Sequence, residues 1–94
     1  MPSITRLVKM TFLESEINTF LEIFNANKSR IAAFEGCEKV ELKRDINSPN
    51  IFFTISTWRS ANDLENYRNS ELFKGVWSQT KVLFEKKAEA WSLG

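Results

Sequence analysis

The stretch Ile51-Phe52-Phe53-Thr54-Ile55-Ser56-Thr57-Trp58 constrains the fold of this chain more than any other. It is the most β-prone run in the sequence, and at its start apolar residues fall on both parities. Successive side chains of a strand point to opposite faces, so such a strand has to be covered on both sides. A helix layer can cover one side, and something else must cover the other. The preceding Asn47-Ser48-Pro49-Asn50 is turn chemistry, and Pro49 has no N–H to give a central ladder.

Around this strand the periodicities alternate. Residues 4–12 read as a strand, with Ile4, Val8, Met10 and Phe12 on one parity, Arg6 interrupting that set, and Leu7 and Lys9 on the other. Glu14-Ser15-Glu16 opens a helix, its carboxylates complementing the positive end of the helix dipole and Ser15 placed to cap. Ile17, Phe20, Leu21, Phe24, Ile31 and Ala32 continue it at mostly helical spacing. It stops at Phe34-Glu35-Gly36-Cys37, where Gly36 is free to take a left-handed conformation. Apolar and charged residues alternate through 39–46, the pattern of a half-exposed strand. Ser60 and Asp63 make a capping pair, and a helical region over 61–84 breaks near Asn69-Ser70-Glu71, with Ser70 capping the second piece. The second half of 85–93 reads as a last strand, because Trp91 and Leu93 share a parity.

The order β-α-β-β-α-β implies an α+β, ferredoxin-like domain over residues 1–94. Four strands form an antiparallel sheet, each helix crosses over between parallel neighbours, and right-handed crossovers put both helices on one face. The other face stays bare, and the two-sided apolar strand implies that a second copy of the chain covers it as a homodimer. Trp91 is expected at that seam, and Arg6 in an ion pair there with Asp45 or Glu41.

Composition narrows the chemistry. Thirteen basic residues against twelve acidic leave a formal charge of +1 with no clustering, which speaks against nucleic acid or an anionic membrane as partner. The chain has no histidine, so the default general base, the commonest metal ligand and the usual haem ligand are all missing. Its one cysteine, Cys37, excludes an intrachain disulfide and a cysteine-rich zinc site, and without histidine to activate it reads as a small buried residue. No metal is expected. No apolar run approaches the roughly 20 residues that span a bilayer, and the first residues lack a signal-peptide core, so the expectation is a soluble cytoplasmic protein.

Phe34-Glu35-Gly36-Cys37, Ile55-Ser56-Thr57-Trp58-Arg59-Ser60 leading into Leu64-Glu65-Asn66-Tyr67, and Ser70-Glu71-Leu72-Phe73 resemble the antibiotic biosynthesis monooxygenase family. The resemblance runs over essentially the whole chain. It implies a dimeric α+β barrel and a pocket between helices and sheet. Members include cofactor-independent anthrone and quinol oxygenases and haem-degrading oxygenases. Against the haem-degrading branch, Tyr67 stands at the matching tryptophan, Trp77 at the haem-ligating histidine, and Lys9 near the first-strand asparagine. Tryptophan is no donor to iron, so haem degradation is not expected. Glu71 stands near a histidine of many quinol-oxidising relatives and serves as a base only with a raised pKa.

The expected function is therefore cofactor-independent monooxygenation of an electron-rich aromatic of quinol or anthrone type. Lys9, Tyr67 and Glu71 are the expected catalytic residues, with Trp77 and Phe73 binding the substrate. Lys9 would stabilise an anion, against a plain reading as a strand-edge or interface lysine. Tyr67, Phe73 and Trp77 would wall a pocket, against plain core packing. The competing function is a non-catalytic small-ligand-binding or stress-associated dimer. An enzyme calls for a pocket above roughly 300 Å³ with Lys9 or Tyr67 facing it, whereas a relic would have Trp77 and its neighbours fill that space. Trp58 reads as a structural plug. Gly75, inside a helix, marks a close approach of a strand or ligand, or an exposed position without a role.

Overall fold

A computed structural model describes residues 3–94. The elements are β1 (Ile4–Phe12), α1 (Ile17–Ala32), β2 (Cys37–Arg44), β3 (Ile51–Trp58), α2 (Ala61–Arg68), α3 (Glu71–Lys81) and β4 (Phe84–Leu93). The strands lie in the order β2-β3-β1-β4, and every adjacent pair is antiparallel. This is the ferredoxin-like α+β plan. The crossovers do not join parallel neighbours, however. β1 and β2 run parallel with β3 between them, and β3 and β4 run parallel with β1 between them, so each helical connection spans an intervening strand.

Alternation along β1 and β3 sorts the two faces of the sheet. Met10, Phe12 and Phe52 point toward the helices and pack with Phe20, Phe24 and Leu83 as the buried core. Phe12 stacks on Phe20 at 4.2 Å between ring centroids, and Phe52 meets both rings edge-on at 5.8 and 5.3 Å. Fully burying one such ring is worth about 1.5–3 kcal/mol, and edge-to-face contacts add to that. The opposite parity, Leu7, Phe53 and Ile55, faces away from the helices. β3 therefore has the cover that its pattern demands on one side only.

The helix ends show which local signals were followed. Ser60 accepts from the Asp63 amide at 3.1 Å, and Ser70 accepts from the Phe73 amide at 3.1 Å, so both expected caps are present. Ser15 caps nothing. Residues Glu14–Glu16 form a single 3-10 turn, and α1 starts without a side-chain cap. β2 begins and ends two residues earlier than the alternation implied, because Asp45 accepts from the amides of Asn47 and Ser48 at 2.8 Å and bends the chain there. α3 stops at Lys81, and the whole of Phe84–Leu93 is strand. Its charged first half has weak β propensity, but pairing with β1 at the sheet edge overrides that, as Lys86 lies opposite Thr11 and Phe84 opposite Phe12.

Two glycines carry opposite meanings. Gly36, in the α1–β2 turn, has φ +86°, and a Cβ there would overlap the Asp63 Cβ. The close approach lets the Asp63 carboxylate reach Arg59 through two bonds of 2.8 and 3.0 Å, while the Gly36 carbonyl accepts from the Arg59 amide at 2.8 Å. The Arg59 guanidinium and then the Ser60 hydroxyl hold the Asp63 carboxyl below the usual carboxylate range. This clasp ties the end of β3 and the start of α2 to the first turn. Gly75, by contrast, has nothing within 4 Å of where a Cβ would sit, so no strand approaches it closely. Gly36→Ala should lose about 2 kcal/mol or more from the left-handed backbone and the overlap with Asp63. Gly75→Ala should gain up to about 1 kcal/mol from helix propensity. Urea unfolding of the two variants beside the parent protein reads both signs.

Candidate functional site

A cavity of about 350 Å³ lies between the sheet and the helices. Its floor follows from small side chains on the helix-facing parity. Thr54 and Ser56 of β3 and Ala88 and Ala90 of β4 flank the longer Arg6, Val8 and Met10 of β1. In register, Ser56 lies opposite Arg6, which in turn faces Ser92, while Thr54 lies opposite Val8, which faces Ala90. Large residues at these positions would close the space. The roof is made by Phe20, Phe24 and Ile31 of α1, Leu64, Tyr67 and Arg68 of α2, and Phe73, Val76, Trp77 and Thr80 of α3.

One wall is a continuous aromatic run. Tyr67 stacks on the fully buried Trp58 at 4.8 Å and meets Phe34 and Phe73 edge-on at 5.3 and 5.2 Å. Phe73 lies nearly parallel to Trp77 at 5.8 Å, and Trp77 meets Phe84 at 5.6 Å. Tyr67 and Phe73 come together because the chain breaks between α2 and α3 at Ser70, whose hydroxyl donates to the Tyr67 carbonyl at 2.6 Å. Trp58 is anchored by its indole N–H donating to Ser56 Oγ at 2.9 Å. That bond leaves the Ser56 O–H free to donate, whereas Thr80 spends its hydroxyl proton on the Val76 carbonyl.

The polar groups are few and of one sign. Arg6 donates from Nη1 to Ser92 Oγ at 2.9 Å. Partial burial, and then the nearby Arg68 charge, lower the Arg6 pKa from its ordinary value, with Glu65 opposing them. Arg68 is half exposed and 3.6 Å from Glu65. Burial pushes the Tyr67 phenol up to about 12, so near neutrality it is a neutral hydrogen-bond donor and no base. Its hydroxyl has no hydrogen-bond partner among the described residues, and no buried side-chain polar atom there lacks one, so the hydroxyl is not sealed into the packing. Among the described residues no carboxylate lines the cavity.

Of the five expected site residues, the structure brings Tyr67, Phe73 and Trp77 to this cavity. Trp77 and its neighbours wall the space and do not fill it. Lys9 and Glu71 are elsewhere. Lys9 sits between Phe53 and Glu89 on the face turned from the helices, with its ammonium 3.9 Å from the Glu89 carboxylate. Glu71 is exposed at the start of α3 and borders a separate shallow groove with Asn27, Arg30 and Gly75. Among the described residues, Arg6 and Arg68 are the cationic residues that line the cavity. Arg6 was expected in an ion pair with Asp45 or Glu41, but Glu41 pairs with Lys39 at 2.7 Å and Asp45 is taken by backbone amides. Its shared parity with Val8 and Met10 already points to the helix side. Arg68 follows Tyr67 on α2, and its spacing carries no comparable signal. Cys37 is half-buried, and burial raises its thiol pKa, the reverse of an activated nucleophile. No group of three potential metal-ligating side chains forms among the described residues.

Fold and cavity together define a ferredoxin-like domain with an aromatic-walled pocket between helices and sheet. The sequence profile described as antibiotic biosynthesis monooxygenase matches residues 3–76, and the chain belongs to that family. Solved structures with the same fold include a conserved protein from Methanosarcina mazei Go1, with 17% identity, TM-score 0.93 and coverage of 98% of this chain and 91% of that one. A protein from Pseudomonas aeruginosa is 20% identical, with TM-score 0.87 and coverage of 99% and 93%. SnoaB, a cofactor-independent oxygenase from Streptomyces nogalater, is similar at TM-score 0.87 and 15% identity over 100% of this chain and 93% of its own. No curated protein matches in sequence.

Proposed function

We propose that this chain is a cofactor-independent monooxygenase acting on an electron-rich aromatic of quinol or anthrone type, bound in the cavity between helices and sheet. The observation that carries the reading is the cavity itself, about 350 Å³ with an aromatic wall and two arginines in its lining. Membership of the family and the shared fold with an oxygenase of that kind support it. Tyr67, Phe73 and Trp77 hold the ring system, and Arg6 and Arg68 stabilise negative charge on its oxygen.

In this chemistry the deprotonated substrate is the reductant. It passes one electron to dioxygen, and the two radicals join in a C–O bond. The resulting peroxide takes a proton, and the hydrogen left on that carbon then departs as a proton while its electron pair forms the C=O bond and the O–O bond breaks, releasing the outer oxygen as water. For an anthrone the methylene becomes a carbonyl, CH₂ plus O₂ giving C=O plus H₂O. What the protein adds is a water-poor pocket and fixed positive charge where the anion develops.

A second reading, ligand binding without turnover, is favoured by one observation. No carboxylate lines the cavity among the described residues, and the chain has no histidine, so no ordinary base is at hand there. Oxygen uptake across a panel of hydroquinones and anthrones separates the readings. Turnover above buffer that falls about tenfold or more in Arg6→Gln, consistent with loss of one charged hydrogen-bond donor to the developing anion, supports the enzyme. Tyr67→Phe, which forfeits no hydrogen bond within the protein, isolates what the phenol gives the substrate. Uptake indistinguishable from buffer across the panel supports the binder.

The bare sheet face fits a homodimer. Leu7 lies between Ile55 and Trp91, and Thr5 between Thr57 and Leu93, with Trp91 and Leu93 41% and 46% exposed. The Lys9–Glu89 and Lys39–Glu41 pairs neutralise charge on the same face. No helix among the described residues is long and apolar enough to cross a membrane, and a lone unpaired cysteine suits the reducing cytoplasm. Light scattering should give twice the chain mass for the parent and one chain for Leu7→Asp. A parent protein at one chain mass at micromolar concentration would exclude the dimer.

A further inference from the structure

We infer that the cavity selects a planar aromatic that enters already ionised, with its anionic oxygen, carboxylate or phenolate, held between Arg6 and Arg68. This rests on the cavity being the substrate site and specifies what that site takes.

The charge balance of the wall argues for it. Arg6 and Arg68 both line the cavity, and no carboxylate shares it among the described residues. Arg6 is partly buried, yet among the described residues the one hydrogen bond its five N–H donors make is to a neutral hydroxyl, Ser92 Oγ at 2.9 Å. Glu65 pairs loosely with Arg68 at 3.6 Å and also acts on Arg6, but the like charge of Arg68 acts on Arg6 more strongly. Two like charges that repel across an apolar space, without a counter-ion in it, are an unfavourable arrangement that an anion entering the space relieves. Each guanidinium presents a planar donor fork suited to a carboxylate or phenolate oxygen, and the nearly parallel rings of Phe73 and Trp77 suit a flat ring system.

The same wall argues against a neutral substrate that the protein must deprotonate. Tyr67 stays protonated up to about 12 and acts as a donor. Glu71 and Lys9, the titratable groups that the sequence pointed to, lie outside the cavity. Selection of the anion by two fixed cations does away with the need for a base. It also makes the pocket disfavour the uncharged form, because a neutral group supplies no counter-charge to two guanidiniums that Glu65 alone offsets only in part.

The test compares 2-naphthoate with 2-naphthamide, which share ring and outline and differ in charge, by calorimetry and quenching of tryptophan fluorescence at neutral pH. The parent protein should bind naphthoate about ten- to a hundredfold more tightly than naphthamide, the worth of charge-assisted over neutral hydrogen bonds. Arg68→Gln, at a half-exposed position and with folding checked by circular dichroism, should lose most of that preference, as should Arg6→Gln. Lys81→Gln, an equal loss of charge outside the cavity, should keep it. Equal binding of the two probes, a preference that survives both arginine variants, or no binding of either would overturn the inference. Oxygen uptake is scored separately. Anion selectivity without turnover leaves this inference standing and removes the monooxygenase, and turnover of neutral quinols without anion selectivity does the reverse.

Discussion

The pairing of β1 with β3 on one side and β4 on the other is the constraint on which the rest of the molecule depends. β1 is central, so the alternation of its side chains decides what each face of the sheet becomes. Met10 and Phe12 at one end of the helix-facing set close the core with Phe20 and Phe52. Arg6 and Val8 at the other end face Ser56, Thr54 and Ala90, where small neighbours leave the core unfilled. Core and cavity are thus two ends of one row of side chains, separated by the size of what stands beside them. A protein interior is normally close-packed, and a void of this size persists where the surrounding rings are held by other contacts. Here the Trp58–Tyr67 stack and the Arg59–Asp63 clasp hold the roof at one end.

Much of this was legible in the sequence. The switch between two-residue and helical periods marked the order of elements, and Ser60, Ser70 and Gly36 marked the breaks because caps and left-handed turns require particular atoms. For Tyr67, Phe73 and Trp77 the sequence left a pocket wall and plain core packing both open, because which of the two they form depends on how α3 docks after the Ser70 break. Ser15 misled because it lies inside the 3-10 turn Glu14–Glu16, closed by the Glu16 amide donating to the Leu13 carbonyl at 2.9 Å, and not at the position before α1. The extent of β4 was hidden for a similar reason, since charged residues at a sheet edge are satisfied by solvent, and pairing with β1 outweighs their propensity.

Lys9 shows the limit most plainly. A match to another protein carries an uncertainty of one residue in register, and in a strand one residue is the difference between two faces. Lys9 belongs to the bare face with Leu7, Phe53 and Ile55, while Arg6 shares the helix side with Val8 and Met10. Parity alone would have chosen Arg6. Glu71 was beyond such reasoning, because the first turn of a helix can point its side chains to solvent or to a pocket with the same sequence. Arg68 was equally hidden, since whether the last residue of a helix reaches a cavity depends on where the next helix docks.

The central claim is that small molecules meet this chain between helices and sheet, among Arg6, Tyr67 and Trp77, and not on the bare face. A ¹⁵N-edited NMR titration with 2-naphthoate tests it most directly, because each backbone amide and each indole N–H reports its own surroundings. The account predicts shifts concentrated at Arg6, Tyr67, Trp77, Ala88 and Ala90, with Lys9 and Glu71 unmoved. Shifts concentrated instead around Lys9, Phe53 and Trp91 would place the ligand on the opposite face and contradict it.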